Sequence, residues 1–310
     1  MDPGNSRAIS VVIPAYNCAG SIAECIRSVL EQTVPPFEVI VIDDCSNDAT
    51  VTTVESIKDV RLKLICLERN SGAQAARNAG IREANGGWIA FQDADDVWLP
   101  DKLEKQITCL NELSYDEMTL VHTDVFWSGN AHKGDLPVTL PLVDGDRAME
   151  VLLRGPGPLL QGMLTSRRAL ISIGYLDEAA PAYHEWDTAI RLARVCRFIH
   201  IREPLVHYNR QPGSISSDGR RDLAGYQYVM DKFSDLIQSC GKGIWEDHFR
   251  KQAIRAMAFG LWGDAGRFLA RSGPSDWRYY FFRMLIGLQI SPNRLMRTAA
   301  YLRNLLAGRM

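Results

Sequence analysis

Four short runs of apolar, largely β-branched residues limit what this chain can become: Ile9-Ser-Val-Val-Ile-Pro14, Glu38-Val-Ile-Val-Ile-Asp43, Leu62 to Leu67 and Trp88-Ile-Ala-Phe-Gln92. Each is continuous rather than alternating, the pattern of a strand covered on both faces. Helical patterns lie between them. Ser21-Ile-Ala-Glu24 reads as a capping box ahead of a stripe of Ile22, Ile26, Val29 and Leu30. Pro35-Pro36 closes that helix, a second starts near Thr50, a third covers Ala73 to Ala84, and Pro100 opens another. Strands and helices alternating at this spacing predict an α/β fold with a mostly parallel central sheet. Ligands of such sheets bind beyond the carboxyl ends of the strands.

Those ends carry the polar residues. Pro14-Ala-Tyr16-Asn17 follows the first strand, Asp43-Asp44-Cys-Ser46 the second, and Asp93-Ala-Asp95-Asp96 the fourth. Three carboxylates within four residues raise one another's pKa unless a cation holds them, and hard oxygen donors of this kind suit Mg²⁺ or Mn²⁺ shared with phosphates. Acidic residues also cap loops and helices, and turns favour Asp, so each pair alone has a structural reading. Tyr16 has two readings, stacking on a planar base or packing locally. Arg77, on the helix after Asn70-Ser-Gly72, binds a diphosphate or neutralises the acidic cluster; both roles put it at this edge.

Composition narrows the class. With 46% hydrophobic and 23% charged residues in 310, the chain is long and apolar enough for a sizeable core. The net charge is −2, but Ala265–Met310 carries +7 and the remainder −9, so only the tail offers anything to an acidic partner. Nucleic acid is not expected as a partner. Seven scattered cysteines without a Cys-x-x-Cys pair predict free thiols rather than a zinc or redox site. No apolar signal core or membrane-length run is present, and a cytoplasmic location is expected.

Taken together, these segments resemble family 2 glycosyltransferases of the GT-A fold. The matching stretches are Ser10 to Asn17, Val39 to Asp44 with Ser46-Asn-Asp48, Asn70-Ser-Gly72 with Ala76-Arg-Asn-Ala-Gly80, and Phe91 to Asp96. Further on come Gly174-Tyr-Leu-Asp-Glu178, His184-Glu-Trp-Asp187 with Arg191-Leu-Ala193, and Pro212 to Ser216. The resemblance implies a catalytic domain over residues 1–217, with a nucleotide-sugar-binding half (8–125) and an acceptor half (126–217), followed by a helical region over 218–310. It implies that Pro14, Ala15, Tyr16 and Asp44 line the nucleotide pocket, with Arg77 beside them. Asp93 faces the ribose or sugar, and Asp95 binds a divalent metal, Mn²⁺ or Mg²⁺. Glu185 is the implied general base. Asp187 is the alternative base, or else the N-cap of the helix through Leu192. His184 stands where the family has its first acid, and Gln211 where it often has a His; His207 nearby reads as structural.

The implied reaction is an inverting transfer from a nucleotide diphosphate-sugar, a UDP-sugar favoured, to a hydroxyl of a glycan or lipid-linked acceptor in polysaccharide assembly. A polyprenyl-phosphate sugar synthase and a catalytically inactive nucleotide-sugar-binding module remain alternatives. A dinucleotide-dependent dehydrogenase is not expected, since no Gly-x-Gly-x-x-Gly follows the first strand. From Gly219 onward the pattern is helical, including Ile244 to Leu269 and Pro292 to Leu306. Arginines interleave with apolar residues there, and three readings stay open: contact with the inner face of a membrane, packing on the catalytic domain, or a homo-oligomer contact.

Overall fold

The computed structural model describes residues 5–128, 136–209, 218–274 and 277–290. Residues 212–216 and 292–306, for which a closing segment and a terminal helix are expected, lie outside the described residues. The chain divides into two compact units.

The first unit holds Met1–Leu152, Pro156–Ala180 and His184–Pro212. Its elements are β1 (Ile9–Ala15), α1 (Ile22–Leu30), β2 (Glu38–Asp43), α2 (Thr50–Ser56), β3 (Leu62–Cys66), α3 (Ala73–Glu83) and β4 (Trp88–Phe91). There follow β5 (Val97–Trp98), α4 (Lys102–Glu112), β6 (Thr119–Ser128), β7 (Leu136–Val138), α5 (Ala148–Leu152), β8 (Leu164–Ser166), α6 (Arg167–Ser172), α7 (His184–Leu192) and β9 (Arg197–Asn209). The strands form one sheet in the order β3-β2-β1-β4-β8-β6-β9-β5, with β7 on β6. β3, β2, β1 and β4 are mutually parallel. Beyond β4 the sheet is mixed: β8 runs antiparallel to β4 and β6, and β9 parallel to β6.

The parallel half follows the apolar runs. Every residue of β2 is buried, and β1 is buried at all but Pro14. Ile22, Cys25, Ile26 and Val29 of α1 close over one face of the same core. On the helix α3, a Cβ at Gly80 would lie 2.4 Å from Val12 Cγ1, so only glycine lets this helix approach β1 so closely.

Local details differ from the sequence expectation. Ser21 precedes α1, but its hydroxyl donates to the Cys18 carbonyl (3.3 Å) and caps no helix N–H, so the capping box does not form. Leu136–Val138, in a stretch whose Gly, Pro and Asp residues read as a loop in the sequence, pairs with β6. All seven cysteines are free.

The second unit, Leu153–Gly155, Pro181–Tyr183 and Gly213–Met310, is helical among the described residues. It contains α8 (Gly219–Lys232), α9 (Ser234–Ser239), α10 (Lys242–Ala258), α11 (Trp262–Ser272) and α12 (Trp277–Gly287). The single helix expected over Ile244 to Leu269 is two, because Gly260 at φ 72° breaks the chain between α10 and α11. Leu223, Ala256, Met257, Ala265 and Leu285 form its core. Among the described residues, no helix is long and apolar enough to cross a membrane.

Candidate functional site

The carboxyl ends of β1, β2 and β4 deliver three loops to one edge of the first unit. The loops after β1 and β2 are laced together. Asn17, in the left-handed region at φ 48°, donates its N–H to the Ser46 hydroxyl oxygen (2.9 Å), and its side-chain oxygen accepts from the Asn47 N–H (2.9 Å). Thr50 and Asp48 accept the N–H groups of Cys18 (2.8 Å) and Ala19 (3.1 Å). Pro14 and Ala15 end β1 beneath this lacing, and Tyr16 emerges from it half exposed, at 50%.

Asp43 and Asp44 are both buried, yet they are employed differently. Asp44 accepts the backbone N–H of Ser71 (2.7 Å) on one oxygen and of Gly72 (2.8 Å) on the other, which fixes the loop ahead of α3. Asp43 accepts the Ser46 N–H through Oδ2 (3.0 Å), while its Oδ1 is buried without a hydrogen-bond partner. Burial and pairing, not sequence, separate the two members of this pair.

α3 presents Gln74, Arg77, Asn78 and Ile81 on one buried face, at the spacing that stacks side chains along a helix. Arg77 forms an ion pair with Asp93 through Nη2, and its Nε and Nη1 have no hydrogen-bond partner. The Gln74 amide, a residue the sequence did not single out, is buried and unpartnered at both heavy atoms. Asn78 reaches the Leu176 carbonyl (2.9 Å) and Glu178 (2.8 Å), joining two segments about a hundred residues apart.

The acidic loop after β4 is held from several sides. The Cys25 thiol donates to the Asp93 carbonyl (3.3 Å). Asp96 is fully buried and accepts the Asn209 N–H (2.8 Å), while the Asn209 amide donates to the Asp95 carbonyl (2.7 Å). Burial, with Asp93 and Asp95 nearby, pushes the Asp96 carboxyl well above the usual range; Asn209 and Gln161 oppose this. Burial and the Asp93 charge raise Asp95 to about 6, with Arg77 offsetting part of the effect. Gln161 and Asn209 were missed because nothing local marks them; Asn209 acts at 113 residues' separation from Asp96.

A divalent ion fits the donor set at Asp93 and Asp95. Their carboxylates are hard oxygen donors whose crowding a cation relieves, and Mg²⁺ or Mn²⁺ commonly takes only one or two protein carboxylates beside phosphates and water. Among the described residues no group of three or more His, Cys, Asp or Glu gathers into an all-protein cage.

Glu185 lies in the first turn of α7, mostly shielded, with His184 Nε2 3.5 Å from its carboxylate. The adjacent Trp186 is buried and donates Nε1–H to the Leu152 carbonyl (2.7 Å), which pins this turn. Asp187 is not the N-cap expected of it: α7 begins at His184, three residues earlier. It is fully buried and bound to Arg191 (2.7 and 2.8 Å), whose Nη1 also donates to the Ile173 carbonyl (2.8 Å). His207 lies in β9 and stacks on Phe126. A cleft of about 670 Å³ beside α3 is lined by Arg69, Ser71, Arg82 and Glu178, among others, and by none of the residues given a nucleotide, metal or base role.

Comparison with known proteins decides the family. Residues 10–134, which contain all three loops, match the family model for glycosyl transferase family 2. These residues are a family 2 glycosyl transferase domain. The domain is 42% identical over 120 residues to the succinoglycan biosynthesis protein ExoO of Rhizobium meliloti, covering 37% of this chain and 34% of that one. It is 41% identical over 109 residues to the Escherichia coli UDP-Glc:alpha-D-GlcNAc-diphosphoundecaprenol beta-1,3-glucosyltransferase WfgD, covering 34% and 43%. The matches to these relatives thus span less than half of their length. The mannosyltransferase PcManGT of Pyrobaculum calidifontis, solved with GDP-Man and Mn²⁺, superposes with a TM-score of 0.61. It is 19% identical, and the likeness covers 97% of this chain and 86% of that one. The fold is accordingly of the GT-A type, followed by C-terminal helices.

Proposed function

We propose that this chain is an inverting glycosyltransferase of polysaccharide assembly, moving a sugar from a nucleotide diphosphate-sugar to a hydroxyl of a glycan or lipid-linked acceptor. The observation that carries this reading is the Asp93–Asp95 loop beyond β4, where burial and a neighbouring carboxylate hold Asp95 at about 6. Such a pair is costly to keep unless a ligand uses it. Further support comes from the orphaned polar atoms of the same three loops and α3: Asp43 Oδ1, the Gln74 amide, and Arg77 Nε and Nη1. A UDP donor is favoured, since WfgD is named for UDP-Glc.

In this reading the catalytic domain covers residues 1–217 and the helical region 218–310. Pro14, Ala15 and Tyr16 line the nucleotide pocket, and the exposed Tyr16 ring stacks on the base. Asp44 keeps the Ser71–Gly72 loop in place, and Asp43 Oδ1 is free to accept from the base or ribose. Asp93 orients Arg77, whose spare Nε and Nη1 face the negative charge of the donor. A divalent metal on Asp95, with Asp93 beside it, would supply positive charge to the diphosphate. Glu185 accepts the proton of the acceptor hydroxyl as that oxygen attacks the anomeric carbon. Attack from the face opposite the departing nucleoside diphosphate inverts the configuration in one displacement. Asp187, paired with Arg191 through Oδ2, holds the helix that carries Glu185.

The test is a transfer and hydrolysis screen of UDP-, GDP- and dTDP-sugars with Mn²⁺ or Mg²⁺, on wild type and Glu185→Gln. One donor should be consumed by the wild type, and Glu185→Gln should slow transfer about 10²- to 10⁴-fold without weakening donor binding. Undiminished transfer by Glu185→Gln would remove the base assignment and favour a lipid-phosphate acceptor, which needs no proton removed. Donor binding without turnover in the wild type would make the domain a binding module.

A further inference from the structure

The helix α12 is apolar on two sides, and the second unit buries only one of them. Leu285 is buried, and Phe281, Phe282 and Ile286 pack with it on the core that includes Ala256, Met257 and Ala265. The opposite stripe is open: Trp277 is 71% exposed, Tyr280 60%, Met284 52%, and Leu288, one residue past the helix, 61%. Their spacing of three, four and four residues puts all of them on one side of a 3.6-residue repeat. Elsewhere among the described residues, large exposed apolar side chains are scattered through more than two hundred positions; here four fall within twelve.

Cations dominate the charge around the stripe. Arg278 and Arg283 are exposed on either flank and Arg271 on the neighbouring α11, where Arg267 is ion-paired with Asp264. From Trp277 to Met310 the sequence has six arginines and no acidic residue. A two-fold contact between copies would set this patch against itself, placing the arginines of α12 opposite each other with no carboxylate on that helix to separate them. Trp and Tyr, amphipathic rings that settle at headgroup depth, suit a bilayer surface, and arginines beside them suit its anionic lipids.

We infer that the outer face of α12, built from Trp277, Tyr280, Met284 and Leu288 with Arg278 and Arg283, docks on an anionic lipid bilayer. The helix lies in the plane of the surface; at eleven residues it does not span it. This surface is separate from the metal and base assignments, and it stands or falls without them.

The experiment is co-sedimentation of the full chain with phosphatidylcholine vesicles, with and without phosphatidylglycerol, at low and high salt. Binding is expected only with phosphatidylglycerol, weakening as salt rises. The combined variant Trp277→Ser, Tyr280→Ser, Met284→Ser and Leu288→Ser should bind about a hundredfold more weakly. Arg278→Gln with Arg283→Gln should lose about thirtyfold, from about 1 kcal/mol per charge near an anionic surface. Because every substituted side chain is exposed, thermal unfolding of both variants should match wild type, as should their affinity for the nucleotide donor. Failure to bind either vesicle overturns the proposal, and so does binding that survives loss of all four side chains. Light scattering that reports a dimer broken by the four-residue variant, without vesicle binding, would assign the face to a second copy.

Discussion

The two ends of the parallel strands each bury carboxylates, and the chain treats them in opposite ways. At the amino end, Glu38 receives the Ser10 hydroxyl (2.7 Å), the Asn85 N–H (2.6 Å) and an ion pair from Lys63. Burial alone would raise its pKa; the bonds from Lys63, Ser10 and Asn85 outweigh burial and bring it down to about 2. At the carboxyl end, burial and Asp93 lift Asp95 to about 6, and Asp96 stands well above its usual range. A carboxylate whose partners all come from the chain fastens the sheet. One surrounded by other carboxylates waits for a partner from outside.

The largest effect should come from Asp95→Asn, which removes the charge while keeping the side chain's shape. Transfer should fall roughly a thousandfold, in the range seen when a charge-stabilising group is lost, while thermal stability stays level or rises because repulsion with Asp93 is relieved. A variant that loses stability and activity together would make Asp95 a fastener like Glu38 and break the contrast. Glu38→Gln should do the reverse, costing about 3 kcal/mol of unfolding free energy by urea titration while donor affinity survives.

The pH dependence of stability sharpens the same contrast. Glu38, with its folded pKa lowered from 4.5 to about 2, stabilises above its unfolded value, and that stability is lost as pH falls through about 2. Asp95 is raised from 3.8 to about 6, so its protonated form is favoured by the fold; that contribution is present below about 4 and lost as pH rises through 6. Wild type without ligand should therefore lose about 2 kcal/mol between pH 4 and 6 relative to Asp95→Asn. Identical curves for the two proteins would show that Asp95 is not destabilised. The smallest effect belongs to Asn209→Ala: the side-chain hydrogen bond to the Asp95 carbonyl disappears while the backbone N–H still holds Asp96, and metal-dependent donor binding should weaken about fivefold, measured by calorimetry.

How much of this was legible in the sequence follows the same divide. The parallel half was readable because strands covered on both faces leave continuous apolar runs, as in Val39 to Ile42, and because the acidic residues sit directly after them. β9 was not. Over Arg197–Asn209 its burial is uneven, Pro204 interrupts it, and its register with β6 shifts near Asp124. β8, three residues long, leaves no periodicity to detect. The site divides likewise. Asp93, Asp95 and Arg77 could be named from their own neighbourhoods. Asn209, Gln161 and the differing employment of Asp43 and Asp44 depend on partners brought in by the fold. Glu185 and Asp187 are two residues apart on α7, and only full burial and the ion pair with Arg191 distinguish Asp187.

The central claim is that the carboxylates beyond β4 exist to receive a metal and a nucleotide diphosphate. Calorimetric titration of UDP, GDP and dTDP into wild type and Asp95→Asn near neutral pH, with Mn²⁺ and with chelator, tests it most directly. Wild type should bind one nucleotide tightly only with Mn²⁺, and Asp95→Asn should bind it weakly with or without the metal. Equal affinity in the two proteins, indifferent to Mn²⁺, would contradict the account and return the acidic loop to a structural role.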